Sequence, residues 1–418
     1  MTRHITRTTL GTGAVLIGSA LVLTGCGSGF SGGDGGDTPS GGGLTSSDDA
    51  LTVLIGSSGD AETAAVQSAL DAWSKESGTD VSLQVASDLS QELSQGFAAG
   101  EPADLFYLST DQIAGFASNG SLQAYGDELK NKDDFYPSLV ENFTVDDTFY
   151  CAPKDFSTLA LIINSTMWAD AGLTDADLPK TWDDLAAVAK TLTTPEHVGL
   201  AFGAEYQRVG TFMAQAGGGL VKDGAAIADD AANVEALEYV KSHLADGTFA
   251  FAKDVGAGWG GEALGKQSAA MVIEGNWITG AMSNDFSDVD YTVAELPEGP
   301  GGQGTLQFTN CWGMAADSPN QQAALDLVEY LTSADSQLAF SKAFGPMPSI
   351  KSAAADWTAD NAALAPFLAG ADYAQFPPNQ DGASDVIADF NAQLESLKTA
   401  DPAQILSSVQ SNLAAVVE

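Results

Sequence analysis

Gly265-Lys266-Gln267-Ser268-Ala269-Ala270-Met271-Val272-Ile273-Glu274-Gly275-Asn276-Trp277 reads as a strand that delivers an aromatic ring to a turn. Ala269 to Ile273 is a short apolar run with β-branched members, bounded by polar residues and by Gly275, so a buried strand is expected. Gly275 permits a tight turn. Ile278 and Met282, four residues apart, then mark one face of a helix. In open α/β sheets ligands are met beyond the carboxyl ends of the strands. Trp277 is thereby a candidate ligand platform, with simple core packing as the competing reading of the same position.

Working outward, the strand–helix alternation continues in both directions. Upstream, Leu51 to Ile55 reads as a strand and Gly56 to Asp60 as a loop. A helix is expected from Ala61 to Glu76, with Val66, Leu70 and Trp73 on one face. Strands at Val81–Val85 and Ala103–Leu108 flank a helix at Leu89–Ala98. Strand, helix, strand, helix, strand implies a parallel sheet with right-handed crossovers. Ser58, Asp60 and Asp111 then fall just past strand ends, where a ligand could be met.

Phe149 to Asn164 is a long extended run interrupted by Pro153-Lys154-Asp155-Phe156, long enough to cross between two domains. Thr181 reads as an N-cap with Asp184 three residues on, which makes Trp182 structural packing. Val198 to Phe202 reads as a strand, Gly203 to Arg208 as a polar loop, and Asn233 to Leu244 as an amphipathic helix. Beyond Trp277, Tyr291 to Leu296 is extended and leads into a second connecting loop, Pro297 to Gly302. Thr305 to Ala316 is an apolar strand region, and Ser318-Pro319-Asn320-Gln321 is a helix start with Ser318 as N-cap. Helices fill most of the remainder, broken at Gly345-Pro346-Met347-Pro348, and no internal repeat is evident.

A chain of 418 residues exceeds what one hydrophobic core normally serves, so two domains are expected. Sixteen basic residues stand against 56 acids, for a formal charge of −40. That field repels nucleic acid and anionic membranes, and leaves neutral or cationic ligands open. Residues 1–25 have the form of a secretory leader: Arg3, His4 and Arg7 precede an apolar stretch, Leu10 to Leu23, that is short for a membrane span. The stretch closes on Leu23-Thr24-Gly25-Cys26, which resembles a bacterial lipobox and would make Cys26 the lipidated mature N-terminus. Plain secretion, with Cys26 trimmed away, is the alternative. Residues 26–49 are rich in Gly, Ser and Asp, and read as a flexible tether with a reach of roughly 25–30 Å. Outside the cytoplasm the two remaining cysteines, Cys151 and Cys311, favour a disulfide over two buried free thiols. Closing so long a loop is worth on the order of 4–5 kcal/mol in the chain-entropy picture.

Four stretches together resemble the extracellular solute-binding lipoproteins of ABC importers, in the carbohydrate-binding branch that includes the maltose-binding protein. They are Pro153 to Asn164 (PKDFSTLALIIN), Lys180 to Leu185 (KTWDDL), the opening Gly265 to Trp277, and Asp317 to Leu331 (DSPNQQAALDLVEYL). The resemblance spans essentially everything after the tether. It implies a two-lobed α/β periplasmic-binding-protein fold, each lobe a sheet flanked by helices, with the ligand cleft between lobes. Lobe one would be 51–152 and 295–345, lobe two 157–290 and 347–418, with 153–156, 291–294 and 346 as hinge segments. Trp277 matches the family's stacking aromatic, suited to the C–H face of a sugar, and Asn276 stands where the maltose binders have proline. Glu205-Tyr206-Gln207 matches their sugar-contacting loop, with the aromatic displaced by one position to Tyr206. Asp111 matches a hydroxyl-binding aspartate, although Gln112 replaces the neighbouring arginine.

Such a site grips hydroxyls with carboxylates and amides and covers ring faces with aromatics. The polar candidates are Ser58, Asp60, Asp111, Asp155, Glu205, Gln207, Glu274 and Asn276, and the platforms are Trp259, Trp277, Trp312 and Tyr206. The implied function is a lipid-anchored receptor that passes a sugar, such as an oligosaccharide, to an ABC permease. Its expected place is the outer face of the cell membrane. It would be a monomer without cofactor or metal, and not an enzyme. A binder of another solute such as a polyamine is the second reading, and a secreted glycoside hydrolase the third. Past the leader only His197 and His243 remain, and no Gly-x-Ser-x-Gly elbow occurs, which argues against a histidine triad or a multi-histidine metal site. Gly256-Ala257-Gly258-Trp259-Gly260-Gly261 matches a dinucleotide fingerprint in letters only, since no convincing strand precedes it.

Overall fold

The computed structural model describes residues 43–417. The leader, Cys26 and the tether up to residue 42 lie outside them. Two sheets organise the described chain. The smaller is built from β1 (Leu51–Ile55), α1 (Asp60–Ser77), β2 (Val81–Val85), α2 (Leu89–Ala99) and β3 (Leu105–Ser109). β1 runs parallel to both β2 and β3. Val66, Leu70 and Trp73 of α1 are buried against this sheet, as their spacing requires. α1 ends where Gly78 turns left-handed at φ 80° and returns its N–H to the Ser74 carbonyl.

After the short helix α3 (Pro137–Asn142) the larger sheet begins with β4 (Ser157–Asn164), whose eight residues are all buried. There follow α4 (Trp182–Leu192), β5 (Val198–Phe202), α5 (Tyr206–Gln215), α6 (Ala231–Asp246), β6 (Phe249–Phe251), α7 (Gly260–Gly265) and β7 (Ala269–Gly275). Then come α8 (Ile278–Asn284), β8 (Tyr291–Ala294), β9 (Thr305–Phe308), β10 (Asn310–Met314), α9 (Gln321–Leu331), α10 (Ala334–Phe344), β11 (Ala374–Gln375), α11 (Ala383–Leu394) and α12 (Pro402–Val417). The larger sheet runs β6-β5-β7-β4-β9-β11, with β8 also paired to β4, and the smaller runs β10-β3-β1-β2. β4 alternates between two cores: Leu159, Leu161 and Ile163 enter one, Ala160 and Ile162 the other. A strand covered on both faces reads as an unbroken apolar run.

The Thr181–Asp184 capping box forms as expected at α4. Elsewhere the chain departs from the sequence reading. Residues 291–294, expected as a hinge, and 295–308, expected with the first lobe, lie with the larger sheet, because β8 pairs with β4 along Tyr291↔Asn164 to Ala294↔Leu161. The loop Pro297–Gly302 folds back onto α4 and α5, through Trp182 N–H to the Glu298 carbonyl (3.1 Å) and Gly301 N–H to the Gln215 carbonyl (2.8 Å). The run 305–316 is two strands: β9 pairs with β4 in the larger sheet and β10 with β3 in the smaller, so the chain changes sheet at Thr309. It also passes between them at 153–156 and close to Gly345–Met347, where Phe156 bridges Met347. α9 starts at Gln321 with Asn320 as its cap residue. Ser318 is instead occupied by the Asp104 carboxylate, at 2.7 Å.

The end of the expected tether is not free. Thr45 donates its hydroxyl to the Ser318 carbonyl (2.8 Å) and its carbonyl accepts from Gln322 N–H (2.9 Å). The Asp49 carbonyl accepts from the Asn320 amide at 3.0 Å, so residues 45–49 are sewn to the start of α9.

Candidate functional site

A cleft of about 460 Å³ opens where the two sheets meet. The smaller sheet lends it Gly56 and Ser58 after β1, Glu62 on α1, and Ser109 and Thr110 at the end of β3. The larger lends Asn276 and Trp277 after β7, and Gln307 and Phe308 from β9. The crossing segments supply Lys154 to Ser157, Thr309 and Asn310, and Phe344 to Pro346. Ligand-facing groups thus gather at strand ends and sheet crossings, the place open α/β sheets reserve for ligands.

One side of the cleft is organised by a buried lysine. Lys154 contacts the Asp155 carboxylate and lies 3.4 Å from that of Glu62. Its ammonium sits 4.4 Å from the centre of the Tyr107 ring. Glu62 is further held by the Tyr107 hydroxyl (3.0 Å) and by both N–H and hydroxyl of Ser58 (2.7 Å each). Burial opposes the charge on Glu62, yet Lys154 and the Ser58 and Tyr107 donors outweigh it and its pKa falls below the usual glutamate range. For Lys154 burial again acts against charge, but Asp155 and Glu62 prevail and its pKa rises. Asp155, with Lys154 as its partner but buried, is pushed above the usual aspartate range by that burial.

The other side carries Trp277. Its indole is 40% exposed, the one tryptophan among the described residues so presented. Gly275 fits it here through close approach rather than unusual φ: a Cβ on Gly275 would sit 2.2 Å from the Trp277 ring. The ring edge meets Phe308 at 5.7 Å between centroids and 73°, and the Arg208 guanidinium carbon lies 5.3 Å from its centre. Indole Nε1 donates to Glu274 Oε2 at 3.1 Å. Arg208 joins Glu274 (2.6 Å) to Glu205 (2.8 Å). Burial raises the Glu274 pKa, with Arg208 and the indole N–H pulling it back. The neighbouring Asn276 is buried, donating Nδ2–H to the Gly345 carbonyl (2.9 Å) and its backbone N–H to the Ser157 hydroxyl (3.1 Å).

Of the residues singled out from the sequence, Ser58, Asp155, Asn276 and Trp277 come together on the cleft. Glu274 and Glu205 stand behind Trp277 as carriers of Arg208. Gln207 accepts from Asn391 at 3.4 Å, away from the lining. Asp60 and Asp111 are exposed beside lining residues without belonging to the lining. Trp259 is half-buried against the core beneath α7 and does not face the cleft.

Two expected platforms are corrected. Tyr206 is 1% exposed and packs on Phe390, because α5 begins at Tyr206 rather than after a loop and turns that residue inward with Val209 and Met213. Trp312, also 1% exposed, lies inside the smaller sheet's core in the middle of β10, opposite Tyr107 of β3 with their rings 4.8 Å apart, whereas Asn310 reaches the cleft from the strand's first position.

The reading by residue type passed over Lys154, Glu62, Arg208 and Phe308. Signals for them exist. Glu62 falls four residues before Val66 on the buried stripe of α1, and Glu274 ends an apolar strand; a charge in such a place requires a partner. The expected disulfide joins Cys151 to Cys311 with Cα atoms 5.7 Å apart, in the core of the smaller sheet. Among the described residues no helix is long and apolar enough to cross a membrane, and no cluster of His, Cys, Asp or Glu could hold a metal ion.

Known proteins align with this arrangement. A putative binding protein of Brucella abortus (strain 2308) is 27% identical over 310 residues, 69% of this chain and 73% of its own. The diacetylchitobiose binding protein of Streptomyces coelicolor is 26% identical over 278 residues, 64% of this chain and 65% of its own. The crystal structure of the cyclic α-maltosyl-1,6-maltose binding protein of Arthrobacter globiformis superposes with a TM-score of 0.77 at 21% identity, over 88% of this chain and 98% of the other, which establishes the two-lobed fold. The family profile described as bacterial extracellular solute-binding protein matches residues 68–366, and the chain belongs to that family.

Proposed function

We propose that this protein is a receptor that captures a sugar in the cleft beside Trp277 and presents it to an ABC importer. The observation that carries the reading is the Trp277 indole, exposed at the cleft wall and braced from behind by Phe308 and Arg208. An apolar ring face there, opposite hydroxyls and amides of Ser58, Ser109, Thr110 and Asn310, suits a ligand with one C–H face and a rim of hydroxyls. Relatives whose names state a sugar ligand, diacetylchitobiose and cyclic maltosyl-maltose, support the same class.

The carboxylates weigh against the other readings. Glu62 and Asp155 are both paired with Lys154, which leaves Asp155 lone pairs for a ligand hydroxyl but no unpaired carboxylate for a polyamine or for one of a hydrolase's two acids. Asp155, Asn276, Ser58 and Trp277 are the ligand-binding residues of this proposal. Asp60 and Asp111 are second-line hydroxyl partners at the cleft's edge. The lipobox-like Leu23 to Cys26 supports attachment through a lipidated Cys26 to the outer face of the membrane, with the receptor acting as a monomer. The passages at 153–156, Thr309 and Gly345–Met347 are the connections about which the two lobes would close on the ligand.

A thermal-shift screen of the mature chain against mono- and oligosaccharides, polyamines and amino acids tests the proposal. A ligand at one hundred times its Kd adds about 2.7 kcal/mol of stability, well within reach of the method. A sugar that stabilises the wild type and not Trp277→Ala is the expected result. Stabilisation by polyamines alone, weakening steeply with salt, would overturn it.

A further inference from the structure

We propose that the cleft continues past Pro377 into a second recess that holds a further uncharged sugar unit, read by side-chain amides; this rests on the sugar reading above. The recess, about 550 Å³, lies between α3, the loop after α5 and the segment that follows β11. It shares Pro377 with the main cleft. Ser138 on its wall donates to Gln307 Oε1 at 3.4 Å, and Gln307 belongs to the lining of the main cleft, so the two volumes are neighbours across one hydrogen bond.

Two amide atoms of the recess wall, Asn142 Nδ2 and Gln380 Oε1, and one of the main-cleft wall, Gln307 Nε2, are buried without a partner among the described residues. Gln307 is 0% exposed and Asn142 5%. Buried amides in native proteins are almost always satisfied, because leaving one bare forfeits its hydration for nothing. The recess wall thus offers one amide donor and one amide acceptor, and a hydroxyl uses both, its oxygen accepting from an N–H and its proton going to a carbonyl. Asn379 reinforces the site, donating to the Asn142 carbonyl at 3.2 Å and so holding the Gln380 loop against α3.

The chemistry of the recess selects against ions. Its charged residues, Glu141 and Lys222, are one of each sign and both exposed. Phe376, Pro377 and Pro378 supply apolar surface. A neutral ring with hydroxyls fits that mixture, and a ligand spanning both volumes would be an oligosaccharide rather than a single sugar.

Calorimetric titration of the full mature chain with maltose to maltotetraose, and with diacetylchitobiose to the tetramer, decides the matter. In one series affinity should rise at least fivefold on adding the unit that enters the recess. Gln380→Ala and, separately, Asn142→Ser should erase that rise and leave the shorter ligand's Kd within twofold. Equal affinity along the series that binds, or variants that weaken short and long ligands alike, would overturn the extension while leaving the sugar reading intact. Unchanged length dependence with lowered thermal stability would mean that the amides only hold structural water, and would overturn it too. If no sugar binds, while a non-sugar solute does, the sugar reading itself falls and the extension with it. Gln380 sits on a half-buried loop, so its variant carries the test should Asn142→Ser fail to fold.

Discussion

Two ion networks flank the cleft with the same inventory, one cation between two carboxylates, and they are built for different work. Lys154 with Glu62 and Asp155 sits where the chain passes between sheets; Arg208 with Glu205 and Glu274 sits wholly within the larger-sheet body. A lysine ammonium is a compact point charge, and here two carboxylates and the Tyr107 face surround it. The arginine fork instead reaches two carboxylates with separate nitrogens and lays its flat face toward Trp277. The first network joins elements of different sheets. The second orients one ring.

The disulfide belongs to the first network's neighbourhood alone: Lys154 donates its backbone N–H to the carbonyl of Asn310, next to Cys311, at 2.9 Å. Removing it in a Cys151→Ala/Cys311→Ala double variant should lower stability by about 5 kcal/mol, the chain-entropy value for a closed loop of separation 160. Chemical denaturation measures the loss, and hydrogen exchange should locate the added mobility around Lys154 rather than around Arg208. Equal loosening of both would erase the distinction.

Lys154→Met should cost about 3–5 kcal/mol, because it leaves Glu62 and Asp155 buried without their counter-charge. The sign of its pH dependence follows from linkage. In the wild type the Glu62 pKa is depressed, so its contribution is present above the ordinary glutamate pKa and fades as pH falls through the lowered value. In the variant both acids titrate above their unfolded values, the folded state binds more protons, and stability declines as pH rises. The gap between wild type and variant should therefore widen from about pH 4 to pH 7 in denaturation midpoints. A gap independent of pH would show that lost packing, not lost charge, is responsible.

Trp277→Ala removes the ring itself and should weaken sugar binding by about 2 kcal/mol or more, the scale of a central aromatic contact, with little change in stability for a side chain so exposed. Arg208→Lys is the finer probe. It keeps the charge and loses the fork and the flat face, so binding should weaken by about 1 kcal/mol with a shift in Trp277 fluorescence. The Lys154 network predicts no such spectral shift. Calorimetry and emission spectra together would expose any failure of this division of labour.

Most of the larger architecture was legible from the chain. Gly265 to Trp277 announced β7 and its turn through apolar run and glycine alone, and the stripe Val66, Leu70, Trp73 announced α1. What escaped was set by contacts distant in sequence. Nothing local distinguishes Thr305–Phe308 from Asn310–Met314, which pair with strands of different sheets. Tyr206 and Trp312 look like Trp277 by composition; a helix start and a place in mid-strand opposite Tyr107 buried them. The acids were legible in part: Asp155, Glu205 and Glu274 were picked out and Glu62 was passed over. Among 56 Asp and Glu a place on an apolar stripe marks a charge that needs a partner but does not name it, and the partner of Glu62, Lys154, lies 92 residues away.

Thr309 alone separates β9 from β10. A single residue is a bearing rather than a tether. It supplies two soft dihedrals, so strands on either side can swivel, but its neighbours' Cα atoms stay within about 7 Å of each other however it turns. Motion between the two sheets at this point is thus rotation with almost no translation, and the amides and carbonyls on either side of Thr309 keep their spacing through it. For an engineer, a residue inserted there would do more than add slack. It would exchange the two faces of whichever strand absorbed it; in β10 the face shared by Asn310 and Trp312 would turn to the opposite side of the sheet.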